Sequence, residues 1–149
     1  MKFSDGTELA IHGLWWIAQH QGGEPVSLSD VAQAQGVSES YLAKVFQRLA
    51  HAGLLVSKRG KAGGFQLGRP ADEIRIGQIA RVFEGESDGE IHTCADTTRG
   101  CLARSHCGVN RVFERAIARM FETLNEVSIG DLVREASNPV ARIEYSWLR

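Results

Sequence analysis

Cys94, Cys101 and Cys107 are the only cysteines in the chain, and six and then five residues separate them. They lie in a stretch poor in secondary-structure signal. Thiolates are soft ligands, so three in one loop suit a soft metal or an iron–sulfur cluster. Such a centre needs a fourth ligand. His92 and His106 are near in sequence and Asn110 is a poor donor. Glu8 and His12 are distant, but their four-residue spacing puts both on one face of a helix. Zinc usually takes tighter spacing between its cysteines. The thiols could instead be redox-active, or serve as small buried hydrophobes. Their odd number argues against an internal disulfide framework.

A second chemistry lies between Ser40 and Ala71. That segment holds Lys44, Arg48, Lys58, Arg59, Lys61 and Arg69 and no acidic residue. The whole chain has a net charge of -1, so this segment carries +6 and the remainder -7. Charge segregated in this way marks a surface that meets phosphate.

The elements that must carry these cations are legible. Ser27 caps a short helix whose Leu28, Val31 and Ala32 turn inward, and Gly36 breaks it. Val37-Ser38 then leads into a longer helix. Its inner stripe is Leu42, Val45, Phe46 and Leu49, and its outer face holds Ser40, Lys44, Gln47, Arg48 and His51. Gly53 closes it as a C′ glycine. Two helices and a glycine turn in this arrangement form a helix-turn-helix, whose second helix offers donors and cations to a major groove. Next comes a hairpin with strands Leu54–Ser57 and Phe65–Leu67 around a basic, glycine-rich tip. The glycines allow positive φ and close approach. Arg59 at the tip can enter a minor groove or clamp a phosphate. The tip lacks the Walker spacing of a nucleotide-binding loop.

The remaining helices frame this unit. Thr7 or Asp5 caps a first helix running to about His20, with Ala10, Leu14, Ile17 and Ala18 as its buried stripe. Ile11, Trp15 and Trp16 add apolar surface suited to a partner subunit. Ile76, Ile79, Ala80 and Phe83 mark a fourth helix. From Cys107 to Val127, the stripe of Val109, Phe113, Ala116 and Met120, widened by Val112, Ile117, Phe121 and Leu124, predicts a dimerisation helix. Ser128 caps a last helix, Ile129 to Ala136. The layout is therefore mainly α: a winged helix-turn-helix domain over 1–84, a cysteine loop over 85–107, dimerisation and short C-terminal helices over 108–136, and a tail over 137–149.

Hydrophobic content of 43% and charged content of 23% are ordinary for a globular chain. No apolar run approaches the ~20 residues of a membrane span. The longest, Leu9 to Ala18, is interrupted by His12 and Gly13. The start has no signal-peptide pattern, so the chain reads as cytoplasmic, where thiols stay reduced. No base and orienting group accompany any cysteine, which argues against a catalytic nucleophile and an enzyme.

In this order, helix-turn-helix, basic wing, cysteine trio and long helix resemble the bacterial winged-helix regulators of the Rrf-two family. The family includes an iron–sulfur cluster regulator and a nitric-oxide-sensitive repressor. The likeness rests most on Val37-Ser38-Glu39-Ser40-Tyr41-Leu42, Ala52-Gly53-Leu54-Leu55 and the run from Arg59 to Leu67. Thr7-Glu8-Leu9-Ala10 and Ile129-Gly130-Asp131-Leu132 also fit.

The resemblance implies a homodimer on double-stranded DNA, reading a palindromic operator with one helix per major groove. By position, Ser38, Ser40, Tyr41 and Lys44 would contact DNA with Arg59 from the wing, while Arg48, Lys58 and Lys61 extend the basic surface. Cys94, Cys101 and Cys107 would ligate an iron–sulfur cluster, [2Fe-2S] or [4Fe-4S]. One branch supplies an acidic ligand at the place of Glu8 from the other subunit, and another uses positions like Glu8 and His12 together. The branch that governs cluster biogenesis has a histidine where this chain has Asn110, and commonly a glutamate where it has Ala43. Glu8 is therefore the expected fourth ligand and His12 the second choice. The implied role is a transcription regulator, a repressor by type, sensing redox state, nitric oxide or iron supply. The alternative on the same fold is a metal-free, thiol-based or apo regulator.

Overall fold

The computed structural model describes residues 3–20, 22–60, 63–85 and 108–137. Six α-helices and one hairpin make up these residues: α1 Asp5–His20, α2 Leu28–Gln35, α3 Glu39–His51, β1 Leu55–Lys58, β2 Gly64–Leu67, α4 Ile76–Glu84, α5 Gly108–Glu126 and α6 Ile129–Ser137. The three cysteines, His92, His106, Lys61 and the tail from 138 fall outside them.

Local chemistry sets the helix ends. The Ser27 hydroxyl accepts from the Asp30 amide at 3.1 Å, and the Ser38 hydroxyl from the Tyr41 amide at 3.3 Å. Gly36 (φ 65°) and Gly53 (φ 69°) both sit in the left-handed region. At each, the glycine's own amide and the next one return to the last turn, as Gly53 to Ala50 O at 3.0 Å and Leu54 to Leu49 O at 2.9 Å. The first helix departs from expectation. Its cap is Ser4, whose carbonyl accepts from the Thr7 and Glu8 amides at 2.9 and 3.3 Å, while Asp5 and Thr7 lie inside the helix.

The core forms where α1, α2, α3, α4 and the start of the wing converge. Ala10, Leu14, Ile17, Val31, Leu42, Phe46, Leu49, Leu54 and Ile79 are all buried there. Each large apolar side chain so buried contributes ~1.5–3 kcal/mol. Gly13 interrupts the apolar run of α1 for a steric reason: a Cβ there would fall 2.6 Å from the Phe46 ring. α1 thus lies close on α3.

The wing pairs β1 and β2 antiparallel, Leu55 opposite Leu67 and Lys58 opposite Gly64; β1 lies one residue later than its expected Leu54–Ser57, and β2 begins one residue earlier than its expected Phe65–Leu67. Val26 adds a third edge by exchanging hydrogen bonds with Phe65 at 2.9 and 2.8 Å. Of the tip glycines, Gly60 has φ 118°, whereas Gly64 is needed for space, since a Cβ there would sit 2.4 Å from the Val26 carbonyl oxygen.

The C-terminal helices are tied back to this body. α4 packs against α1 and α5, and α6 against α1. Ser128 and Asp131 cap α6 reciprocally: the Asp131 amide donates to the Ser128 hydroxyl at 3.0 Å, and the Ser128 amide to the Asp131 carboxylate at 2.8 Å. Arg134 bridges Asp131 and Asp72, each at 2.6 Å. No helix among the described residues is long and apolar enough to cross a membrane.

Candidate nucleic-acid interface and the groove beside Glu8

The two glycine turns, at Gly36 and Gly53, fix α3 across the front of the domain with its stripe of Leu42, Val45, Phe46 and Leu49 in the core. Ser38, Ser40, Tyr41, Lys44, Gln47, Arg48 and His51 are exposed. The Ser38 hydroxyl also contacts that of Ser40 at 3.3 Å, so the cap and the first outward side chain are held together. Tyr41 leaves 43% of its surface uncovered, large for an aromatic ring on a folded surface. Lys58 and Arg59 are exposed at the end of β1, on the hairpin that follows α3. An exposed donor-rich helix followed by a cationic hairpin, without an acid between Ser40 and Ala71, can satisfy phosphates and base edges together.

Arg48 is placed differently from its neighbours. Its guanidinium donates to the Val82 carbonyl and lies over the Phe83 ring, 4.4 Å from the centroid. It is turned toward α4. Sequence spacing puts Arg48 on the outer face and gives no sign of this contact.

Glu8 and His12 stand exposed on successive turns of α1. They line a groove of about 360 Å³ with Leu9, Trp15, Trp16, Ala34 and Gln35. The indole nitrogens of Trp15 and Trp16, and both polar atoms of the Gln35 side chain, are buried without a hydrogen-bond partner. Orphaned polar atoms of this kind, three N–H donors and one carbonyl acceptor, are costly at about 1–3 kcal/mol each. Spacing had singled out Glu8 and His12; Gln35 comes from α2 and carried no signal of its own. Among the described residues, no three His, Cys, Asp or Glu side chains converge to hold a metal ion.

Facing away from this body, α5 exposes Val109, Val112 and Phe113 at 58%, 63% and 49%. Farther along the helix Phe121 is buried, with the Arg81 guanidinium 4.3 Å from its centroid.

Comparison with known proteins agrees with this architecture. The chain matches the family profile described as "Rrf2: Iron-dependent Transcriptional regulator" over residues 3–135. An "HTH-type transcriptional regulator IscR" of Vibrio atlanticus is 32% identical over 136 residues, which cover 91% of this chain and 76% of that protein. "Protein rrf2" of Nitratidesulfovibrio vulgaris is 32% identical over 137 residues, covering 92% and 90%. Among solved structures, T. potens IscR matches with a TM-score of 0.72 at 28% identity, covering 99% of this chain and 96% of that one. CymR, the global cysteine regulator of B. subtilis, matches with a TM-score of 0.68 at 29% identity, covering 90% and 97%. Regulators rather than enzymes share this fold and sequence. A profile spanning nearly the whole chain, on a winged helix-turn-helix with an open basic face, establishes that this protein belongs to the Rrf2 family of DNA-binding transcriptional regulators.

Proposed function

We propose that the chain is a homodimeric regulator that reads a palindromic operator with α3 and the wing, and that answers to an iron–sulfur cluster held by Cys94, Cys101, Cys107 and Glu8. Ser40, Tyr41 and Lys44 meet the major groove, the Ser38 turn seats the helix end, and Lys58, Arg59 and Lys61 meet the backbone or minor groove. Arg48 contributes charge at the edge of this surface. The open side of α5 is the dimer seam.

The observation that carries the sensing half is the groove on α1. Its residues fit a sulfur-rich anionic group: a carboxylate and an imidazole stand free on one face, beside buried N–H donors that lack acceptors. Glu8 would complete the ligand set, with His12 as the substitute. When bound, the cluster supplies a centre whose charge and integrity change with redox state, nitric oxide or iron supply. Glu8 then holds the start of α1 to the cysteine segment of the partner, and its release frees that turn. A bias of a few kcal/mol between two arrangements of the reading heads is enough to switch operator occupancy.

A second reading, a thiol-based regulator without metal, is favoured by the likeness to the B. subtilis global cysteine regulator. Anaerobic purification with iron and sulfide quantification, alongside operator affinity, separates the two. Coloured protein holding stoichiometric iron and sulfide is expected. Colourless protein without iron, binding DNA at full affinity, would overturn the cluster reading.

A further inference from the structure

The last turn of α4 touches both functional regions. On one side, the Arg48 guanidinium from α3 occupies the Val82 carbonyl and covers Phe83. A cation there complements the negative end of α4. On the other side, the Glu84 carboxylate accepts from the Ser4 amide at 2.9 Å, the Ser4 hydroxyl at 2.8 Å and the Thr7 hydroxyl. An anion there complements the positive end of α1. Thr7 is only 3% exposed, and Glu8 follows it directly. Burial opposes ionisation of Glu84, yet the Thr7 and Ser4 hydrogen bonds and the Arg48 charge hold its carboxyl below the usual range.

This joint has little slack. A Cβ on Gly6, in the first turn of α1, would lie 2.9 Å from the Phe83 ring. One short turn, Val82-Phe83-Glu84, is therefore held by α3 through Arg48 and holds α1 through Gly6, Ser4 and Thr7. In sequence the cysteine segment follows Glu84 closely.

We propose that Glu84 and Arg48 are positioning residues that clamp the first turn of α1, and with it Glu8, to the reading helix α3, so that what Glu8 binds and what α3 reads are felt by one unit. This deepens the reading of Glu8 as the sensor ligand and of α3 as the reading helix. The clamp runs parallel to the direct core contact of α1 on α3, and the side chains of Arg48 and Glu84 can be altered without touching that core.

Hydrogen–deuterium exchange on the full chain tests it, with and without a DNA duplex selected by the wild-type protein from a random pool. The duplex is expected to slow exchange in α3 and also, by about tenfold, in residues 4–10, within the usual range of coupling between sites. In Glu84→Gln the α3 protection should remain while that of residues 4–10 is lost. Arg48→Met, which leaves the Ser4 and Thr7 hydrogen bonds to Glu84 in place, should reduce the same distant protection. A purely structural role would instead raise exchange throughout, with and without DNA. Unaltered protection of residues 4–10 in Arg48→Met, or its absence in the wild type, overturns the proposal. Iron content of the same preparations is a separate readout: an iron-free wild type sinks the ligand role of Glu8 and leaves the exchange comparison decisive for the clamp.

Discussion

The ring of Phe46 on α3 meets the ring of Phe65 on β2 edge to face, with centroids 5.0 Å apart and planes at 76°. Phe46 is fully buried, and Phe65 exchanges backbone hydrogen bonds with Val26 just ahead of α2. The wing is therefore not a free flap. One aromatic pair and one backbone bridge fix it to the same core that seats α3, so α3 and the wing are held in a single geometry.

Phe65→Leu keeps an apolar side chain but removes the ring pair. Edge-to-face contacts are worth ~0.5–1.5 kcal/mol beyond the area they bury. The variant is expected to unfold in urea with about 1 kcal/mol less stability, and to lose operator affinity because the wing is less well placed. A denaturation midpoint equal to that of the wild type would remove this contact from the account.

The capping box of α6 makes an acid-sensitive prediction. Hydrogen bonds from the Ser128 hydroxyl, then its amide, then Arg134 hold the Asp131 carboxyl at about 2, below its ordinary 3.8. The folded value is depressed, so the stabilisation is complete above the unfolded value and disappears as pH falls through the folded one. Asp131→Asn should therefore be less stable than wild type at neutral pH, with the gap closing between about pH 4 and about pH 2. Denaturation curves at several pH values check this. A gap independent of pH would assign the cap to shape rather than charge.

What the sequence made legible, and what it hid, divides by range. Ser27, Gly36 and Gly53 are local devices acting within one turn, and they were readable as such. The cap of α1 was not, because Ser4, Asp5 and Thr7 are all good caps. The choice rests on Glu84, distant in sequence, which accepts from Ser4 and Thr7. Val26 gave no strand signal, since a single bridging residue has no periodicity. Periodicity put Arg48 on the outer face of α3 and was silent on Phe83. Glu8 and His12 were found by spacing, whereas Gln35 and the unpartnered indoles of their groove depend on how α2 packs against α1. The cysteine trio, the strongest chemical signal in the sequence, lies outside the described residues.

Salt dependence distinguishes the cations. Each phosphate contact adds close to one to the slope of log affinity against log salt. Lys44→Ala should weaken binding and lower that slope by about one. Arg48→Ala should change it by less than half as much, because the guanidinium is already committed to Val82 and Phe83. Fluorescence anisotropy across a salt series measures both. Equal slope changes would return Arg48 to the phosphate-contacting set.

The open face of α5 predicts an oligomerisation defect. Val109, Val112 and Phe113 present contiguous apolar surface on one helical face, and Phe113 is the aromatic anchor of the patch. Phe113→Asp puts a charge that must be desolvated into the proposed dimer seam. Dimer dissociation should rise by roughly 100-fold or more, the scale of a lost interface anchor. Sedimentation velocity would then show a folded monomer that no longer binds a two-half-site operator. A dimer of unchanged affinity would place the seam elsewhere.

Glu8 and His12 make rival claims to the fourth position, and substitution separates them. Both are exposed on one face of α1, so neither is needed for the core, and truncating either should leave thermal stability nearly unchanged, within about 0.5 kcal/mol. Glu8 is preferred because it sits in the first turn, beside the Ser4–Thr7–Glu84 joint, where movement of one side chain is most directly transmitted. Glu8→Ala is therefore expected to alter the visible absorption of anaerobically purified protein and speed iron loss, with His12→Ala nearer to wild type. Cys101→Ser supplies the reference for a lost sulfur ligand. An unchanged spectrum in Glu8→Ala together with a changed one in His12→Ala would transfer the role to the imidazole. Unchanged spectra in both would move the fourth ligand off α1 altogether.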